Sequence, residues 1–434
     1  SSLAPGDLIM IIQMQGATLS GSSIEIPVGS GNFFGVPNDS TLGSILAYNN
    51  CGNYEFCEVN SVPNATTIII DCGLIHNYTA AGRVQIVRVP RLTTLIVNNG
   101  GILTGTAWSA AYVGGVIAIE VEYNTFIDVN GQISAASLGF RGGALAPLNP
   151  AAFGGTSYAG TNFTAGSTRG EGIGGYGTDY NPIGGQYGRG AFANGGGGGD
   201  NHNSGGGGGS NASALALWDG QGNPSIAGGL GWISAWNLES PGFSAHTSAG
   251  GGRGGYSQSL TNQDATLLGP NNAIWGGDNR RKSGGLGGRP LDYSTGKLFL
   301  GGGGGCGDRA TGAPGPGRPG GGLIYLMNYG TVSGTGGIVS PGGTTLNAGL
   351  NGGSGGGGGG TVGVVGVVGG VIRFGIVFSF LLIIGLISVF CNFIFGNSNN
   401  FGDFFFLFSS ISGYESISNT FLLFDKSFLI KLLL

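Results

Sequence analysis

Runs of five or more glycines punctuate the chain at 195–199, 205–209, 301–305 and 355–360, within a total of 97 glycines among 434 residues. Glycine loses the most conformational freedom on folding and has no side chain to bury. Such runs suit one of two states. One is a flexible linker. The other is a bundle whose backbones approach more closely than any Cβ would allow, as at the collagen axis. Extended left-handed helices with about three residues per turn could pack side by side, provided that nearly every amide finds a partner. Trp218, Trp232, Trp236, Phe243, Tyr256 and Trp275 interrupt the runs. A linker has no need of large aromatics, so the packed state is the expectation, with these rings covering its sides.

Collagen itself is excluded, because there is no strict Gly-X-Y period and only 16 Pro are present. With 17 Lys+Arg against 21 Asp+Glu and a formal net charge of −4, nucleic acid is not an expected partner, since displacing counterions from phosphate needs clustered basic residues. Three His and few carboxylates leave acid–base catalysis short of candidates. The composition points to a structural or binding protein without a cofactor.

The chain opens at Ser1 with no initiator Met and no charged-then-apolar leader, as expected of a mature or trimmed form. Residues 7–14 read as a buried strand, 54–62 and 67–72 as a hairpin turning at 63–66, and 84–89 as a further strand ended by Pro90. A β-rich N-terminal domain over 1–95 is expected. A Gly-rich region over 96–360 follows. Residues 114–143 and 321–343 share one pattern there: Gly-Gly, an apolar strand, a polar turn, a second short strand, then glycines. Units of this kind cannot bury an apolar face alone but can stack into a β-solenoid. Between them, 144–320 lacks periodicity; either a polyglycine bundle orders it or it is an insertion. The fold class expected is therefore all-β, an N-terminal β-domain followed by a Gly-rich β-solenoid with polyglycine-II-like packing.

Motifs at 6–17 (Gly-Asp-Leu-Ile-Met-Ile-Ile-Gln-Met-Gln-Gly-Ala), 52–55, 84–90, 139–143, 170–172 and 202–206 occur in this order. The series resembles the N-terminal region of large glycine-rich surface and adhesin-like proteins of gliding and marine bacteria, and the likeness covers about 1–360. It implies a secreted or cell-surface β-rich protein of a kind that usually lacks assigned catalytic residues. The glycine runs are also similar, in composition alone, to those of phage tail-tip adhesins and of a receptor domain built on polyglycine bundles.

Composition shifts after Gly360. Fourteen of the 24 Phe lie in 374–434, and 374–395 is apolar apart from Ser379, Ser388 and Asn392. A helix of that length spans a bilayer of about 30 Å, so one expectation for 361–434 is a membrane anchor. The other is an out-of-frame or low-complexity tail, because a glycine GGT repeat read one base later yields valine and 361–370 is a Gly/Val mixture. A membrane is an expected partner only on the first reading.

Cys51, Cys57, Cys72, Cys306 and Cys391 form an odd set. A turn at 63–66 places Cys57 opposite Cys72, where a disulfide can form in an oxidising exterior. Two buried thiols are the alternative, and Cys51 could replace either partner. The same register opposes Glu58 and Asp71, which is unfavourable unless a cation, an exposed edge or a different register relieves it. Other motifs carry little. The dinucleotide-like Gly170-Glu171-Gly172-Ile173-Gly174-Gly175 lacks a βαβ unit, and the elbow-like glycines around Ser354 lack a strand-to-helix turn. Asp200–Asn203 lies between pentaglycines and reads as polar capping more than as a calcium loop. Arg141-Gly-Gly and Arg253-Gly-Gly read as turn chemistry.

The function expected is a non-enzymatic secreted or cell-surface structural or adhesive protein. Its partners would be a surface polysaccharide or neighbouring copies, with no metal. Trp218, Trp232, Trp236 and Trp275 are the candidate binding residues, although packing over the glycine bundle is the commoner fate of any one of them. The alternatives are a self-assembling filament subunit, a β-helix polysaccharide-active enzyme and an ice-binding protein.

Overall fold

The computed structural model describes residues 2–21, 42–145, 166–183, 185–200, 204–211, 218–220, 222, 248–255, 284–308, 315–345, 353–368, 371–376, 390–395, 404–409 and 422–423. Strands predominate, and among these residues helical structure is confined to short 3-10 turns such as Ala80–Gly82 and Gly177–Ile183.

The N-terminal strands are β1 (Leu8–Gln13), β2 (Thr18–Leu19), β3 (Ile45–Ala47), β4 (Tyr54–Asn64), β5 (Thr67–Ile70) and β6 (Val84–Val89). Four of them form an antiparallel sheet in the order β5-β4-β1-β6. Every residue of β1 is buried, as its unbroken apolar run requires of a central strand packed on both faces. Ile9 and Ile11 join Cys57 and Val59 on one face. Met10 and Ile12 enter the main core on the other. The hairpin register is that read from the sequence at Val59↔Ile70; bulges then shift it toward the turn.

A different pairing begins at Arg91. Strands β7 (Arg91–Leu92), β8 (Leu95–Val97) and β9 (Ile102–Thr104) are followed by β10 (Val116–Val121), β11 (Thr125–Ile127) and β12 (Gln132–Ser134). After a long excursion come β13 (Leu323–Asn328), β14 (Val332–Gly334) and β15 (Gly337–Val339). Pairing is parallel and in register along three ladders: β7-β10-β13, β8-β11-β14 and β9-β12-β15. Val116 pairs with Leu323, so the two sequence stretches with a common pattern lie directly on each other. Their inward side chains, among them Val97, Ile117, Ile119, Val121, Ile127, Ile133, Ile324 and Leu326, make one apolar interior. Asn328 is fully buried there and accepts a 2.7 Å hydrogen bond from the Thr125 hydroxyl.

The excursion between β12 and β13 carries most of the glycine. Its glycine runs at 204–210 and 301–306 have neither helix nor strand pairing, yet their amides follow a rule. Gly205 and Gly208 donate to Gly255 and Gly252, Gly206 and Gly209 to Gly353 and Gly356, and Gly207 and Ser210 to Gly197 and Asn194, all at 2.8–3.1 Å. Segment 301–306 repeats the rule: Gly301 and Gly304 donate to Gly321 and Arg318, Gly302 and Gly305 to Ser210 and Gly207, and Gly303 and Cys306 to Glu171 and Thr168. Consecutive amides thus address three different neighbours, and every third returns to the same one. This recurrence of three sets the glycine segments apart from the ladders, and together they make a hydrogen-bonded array. A Cβ on Gly287 or Gly305 would fall on the carbonyl oxygen of Gly251 or Gly197, which is why side chains are absent. Where this array meets the N-terminal sheet, Leu286, Phe299 and Leu300 share a core with Met10, Met14, Phe140 and Phe192.

Four long cationic side chains thread the assembly. Fully buried Arg169 donates to the carbonyls of Gly190 (2.8 Å) and Gly185 (2.5 Å) and lies 4.1 Å from the Phe192 ring centre. Arg189 donates to Gly284, and Arg289 to Leu42 at 2.7 Å. Arg141 is described with the site below.

The remaining strands are β16 (Thr361–Val368), β17 (Val371–Ile376), β18 (Phe390–Phe395), β19 (Phe404–Ser409) and β20 (Leu422–Leu423). β16 continues the first ladder in parallel beside β13, and β17 to β20 follow antiparallel. This corrects the expectation of one apolar helix over 374–395, since both ends of that span are strands; residues 377–389 lie outside the described residues. Val, Ile and Phe suit a pleated surface, and the edge of β16 offers one. Among the described residues no helix is long and apolar enough to cross a membrane.

Candidate functional site

Of the four candidate tryptophans, Trp232, Trp236 and Trp275 lie outside the described residues. Trp218 is half-buried. Its indole N–H donates to the Gly287 carbonyl at 3.0 Å, and the Arg289 guanidinium sits 3.6 Å from its ring centre. It therefore covers a glycine segment instead of projecting from it. Trp108, which the sequence reading passed over, is buried edge-on against Phe140 at 5.7 Å.

A charged joint sits where the N-terminal sheet, the parallel ladders and the glycine array meet. Glu171 is wholly buried. It accepts from the Arg141 backbone N–H (2.9 Å), Arg141 Nε (2.8 Å), Arg141 Nη2 (3.0 Å) and Gln15 Nε2 (2.9 Å). Burial works against the charge on Arg141, but its paired bonds to Glu171 outweigh that and raise its pKa. The dinucleotide-like glycines around Glu171 are thus a tight turn, with Gly172 and Gly175 bridged to each other. Outward from the pair, Arg141 lies 4.0 Å from the Tyr176 ring centre and Arg83 lies 3.7 Å from that of Tyr112. Arg83 also reaches Asp179 at 3.8 Å. Tyr112 holds φ at 59°, an uncommon conformation for a bulky residue. Alternating tyrosine rings and guanidinium groups thus form a half-exposed ridge.

A second feature is a depression of about 260 Å³ lined by Arg91, Leu92, Thr93, Glu120, Glu122 and Tyr329. Arg91 bonds Glu58 and, at 2.7 Å, Glu120 Oε2, while the Tyr329 hydroxyl donates to Glu120 Oε1 at 3.0 Å. The bond to Glu58 chiefly, then that to Glu120, raises the Arg91 pKa against a desolvation cost. Arg91 is also the cation that relieves the opposition of Glu58 and Asp71; Asp71 accepts from Asn60 Nδ2 at 2.8 Å.

Sequence reading missed both features because they join residues far apart in the chain. The available signal was rarity: in a chain this poor in charge, an isolated glutamate between glycines has to be neutralised by something. Where a disulfide is expected, Cys57 and Cys72 are free thiols, Cys57 buried and Cys72 exposed. Among the described residues no group of three or more His, Cys, Asp or Glu side chains is placed to hold a metal ion; Asn201, His202 and Asn203 lie outside them. Comparison of the chain with family models, with curated proteins and with solved structures finds no match.

Proposed function

We propose that this chain is a non-enzymatic secreted or cell-surface structural and adhesive protein, in which a β-solenoid and a polyglycine-II-type bundle form a stiff scaffold for binding surfaces. The three-residue recurrence of amide partners through 205–210 and 301–306 carries this reading. An array of that kind fixes glycine in place without a bulky core and leaves side chains only at its margins. The resemblance of 1–360 to glycine-rich bacterial surface proteins points the same way. The tyrosine–arginine ridge at Arg83, Tyr112 and Tyr176 is the surface best suited to a glycan, since ring faces and guanidinium groups together suit sugar rings and their acidic substituents. Retention of the purified protein on immobilised acidic and neutral polysaccharides tests this. Tyr112→Ala and Tyr176→Ala should each weaken retention several-fold, at ~0.5–1.5 kcal/mol per aromatic contact. Absence of retention on every polysaccharide, together with a monodisperse monomer, would overturn the proposal.

A second reading, a self-assembling filament subunit, is favoured by the ladder ends. β8 and β14 terminate one sheet and β9 and β15 another, and Ile96 and Ile102 on β8 and β9 are 63% and 65% exposed. Open edges recruit further strands. Electron microscopy that shows filaments in the parent protein but not in Ile96→Lys/Ile102→Lys supports this reading.

A further inference from the structure

We infer that Cys57 and Cys72 are a built disulfide site, closed in an oxidising environment to clasp the edge hairpin of the N-terminal sheet. The pairing geometry supports it from the backbone alone. Val59 pairs with Ile70, and the Asp71 N–H donates to the Glu58 carbonyl at 3.1 Å. Glu58 and Asp71 are therefore a hydrogen-bonded pair of the ladder. Continued by one residue, that register sets Cys57 opposite Cys72 at the other kind of antiparallel position, where Cα atoms are typically about 4.5 Å apart and side chains are closest. That spacing lies inside the range a disulfide spans. Cys72 lies close enough to Cys57 to help raise its pKa.

Accessibility assigns the order of events. Cys72 is exposed and Cys57 is buried at 3% exposure. Burial first, then the neighbouring Cys72 thiol, pushes the Cys57 thiol up to about 11, so it is a poor first nucleophile. The Cys72 thiolate attacks a small-molecule disulfide, releasing one thiol and leaving a mixed disulfide on Cys72. The Cys57 thiolate then attacks the Cys72 sulfur and expels the second thiol. The two protein protons end on the two released thiols, and the oxidant's S–S bond is exchanged for the protein's. Of the other cysteines, the two whose side chains are described are sequestered. Cys51 is fully buried with its thiol donating to the Met14 carbonyl at 3.2 Å, and Cys306 is fully buried with its thiol on the Gly307 carbonyl. The choice left open by sequence among Cys51, Cys57 and Cys72 is thereby made. β5 is the outer strand of its sheet, so a bridge at its base opposes peeling of that edge strand.

The test uses the full chain in oxidised or reduced glutathione, with free thiols alkylated before digestion and peptide mapping. The expected result is a linked Cys57–Cys72 peptide in the oxidised sample, removed by dithiothreitol. The unfolding midpoint should rise by about 2–4 °C or more on oxidation of the parent protein and not of Cys72→Ser, a change at an exposed position. Alkylation of both cysteines after oxidation of the folded protein would overturn the inference. So would a bridge from either one to Cys51 or Cys306.

Discussion

Glu55 and Glu171 show what a carboxylate does when a chain has few of them. Glu55 accepts from the N–H groups of Ile75 (2.9 Å) and His76 (3.1 Å) and from the Tyr78 hydroxyl (3.0 Å). Desolvation opposes its charge, but these donors prevail and hold its pKa below the ordinary value. A carboxyl with a depressed folded pKa contributes stability that is present above its unfolded pKa, about 4.3, and is lost as pH falls through the folded value. Amide exchange at Ile75 and His76 should therefore accelerate as pH drops below about 4.3, beyond the intrinsic pH dependence, and this acid response should vanish in Glu55→Gln. The buried partner at Glu171 belongs to a different regime. Arg141→Met leaves its charge with Gln15 and one backbone N–H, and should cost about 3–5 kcal/mol in denaturant unfolding, whereas an exposed surface change costs under about 0.5 kcal/mol. Neither partnership was legible in sequence. Arg141-Gly-Gly reads as turn chemistry because adjacency along the chain says nothing of Glu171, thirty residues on, or of Gln15 from the first strand's end.

Among the elements, the strands were the legible part. Val84–Val89 and the run at 7–14 announce themselves through apolar runs bounded by Pro and Gly, and β6 and β1 occupy them. Stacking of 114–143 on 321–343 was legible too, because repetition of one short pattern implies repetition of one short structure. The glycine segments are harder, since a side-chain-free run specifies no partner. Their fit can be tested position by position. Gly287→Ala places a methyl on the Gly251 carbonyl, whereas at Gly252 an added Cβ meets nothing within 4 Å. The first should lower stability by about 1–3 kcal/mol or more through overpacking; the second should be within about 0.5 kcal/mol of the parent. Equal midpoints for the two variants in urea unfolding would contradict the close packing.

Taken whole, the molecule hangs a long glycine excursion between two adjacent rungs of a parallel ladder, with β12 and β13 as its gateposts. The chain leaves and returns side by side, the Gly139 N–H donating to Gly320 at 2.7 Å and the Gly320 N–H to Phe140 at 2.8 Å. The excursion shares a core with the N-terminal sheet through Leu286, Phe299 and Leu300, so it should unfold with that sheet. Hydrogen exchange should accordingly find amides of 196–199, 206–209 and 301–305 as slow as those of β1, as expected where exchange requires global opening. Exchange within seconds across these segments would return them to the linker state.

The sequence by itself determined the local preferences: where strands run, which stretch repeats which, and that the glycine runs are either a linker or a close-packed bundle. It also suggested Cys57 opposite Cys72, a register that holds at Val59↔Ile70 only because bulges offset the pairing at the turn. Only the tertiary structure decided which glycine segment lies beside which, that Trp218 covers the array, and that β16 extends a ladder. Those outcomes depend on amides meeting carbonyls from distant parts of the chain, and identical backbone groups carry no label of their partner until the fold brings them together.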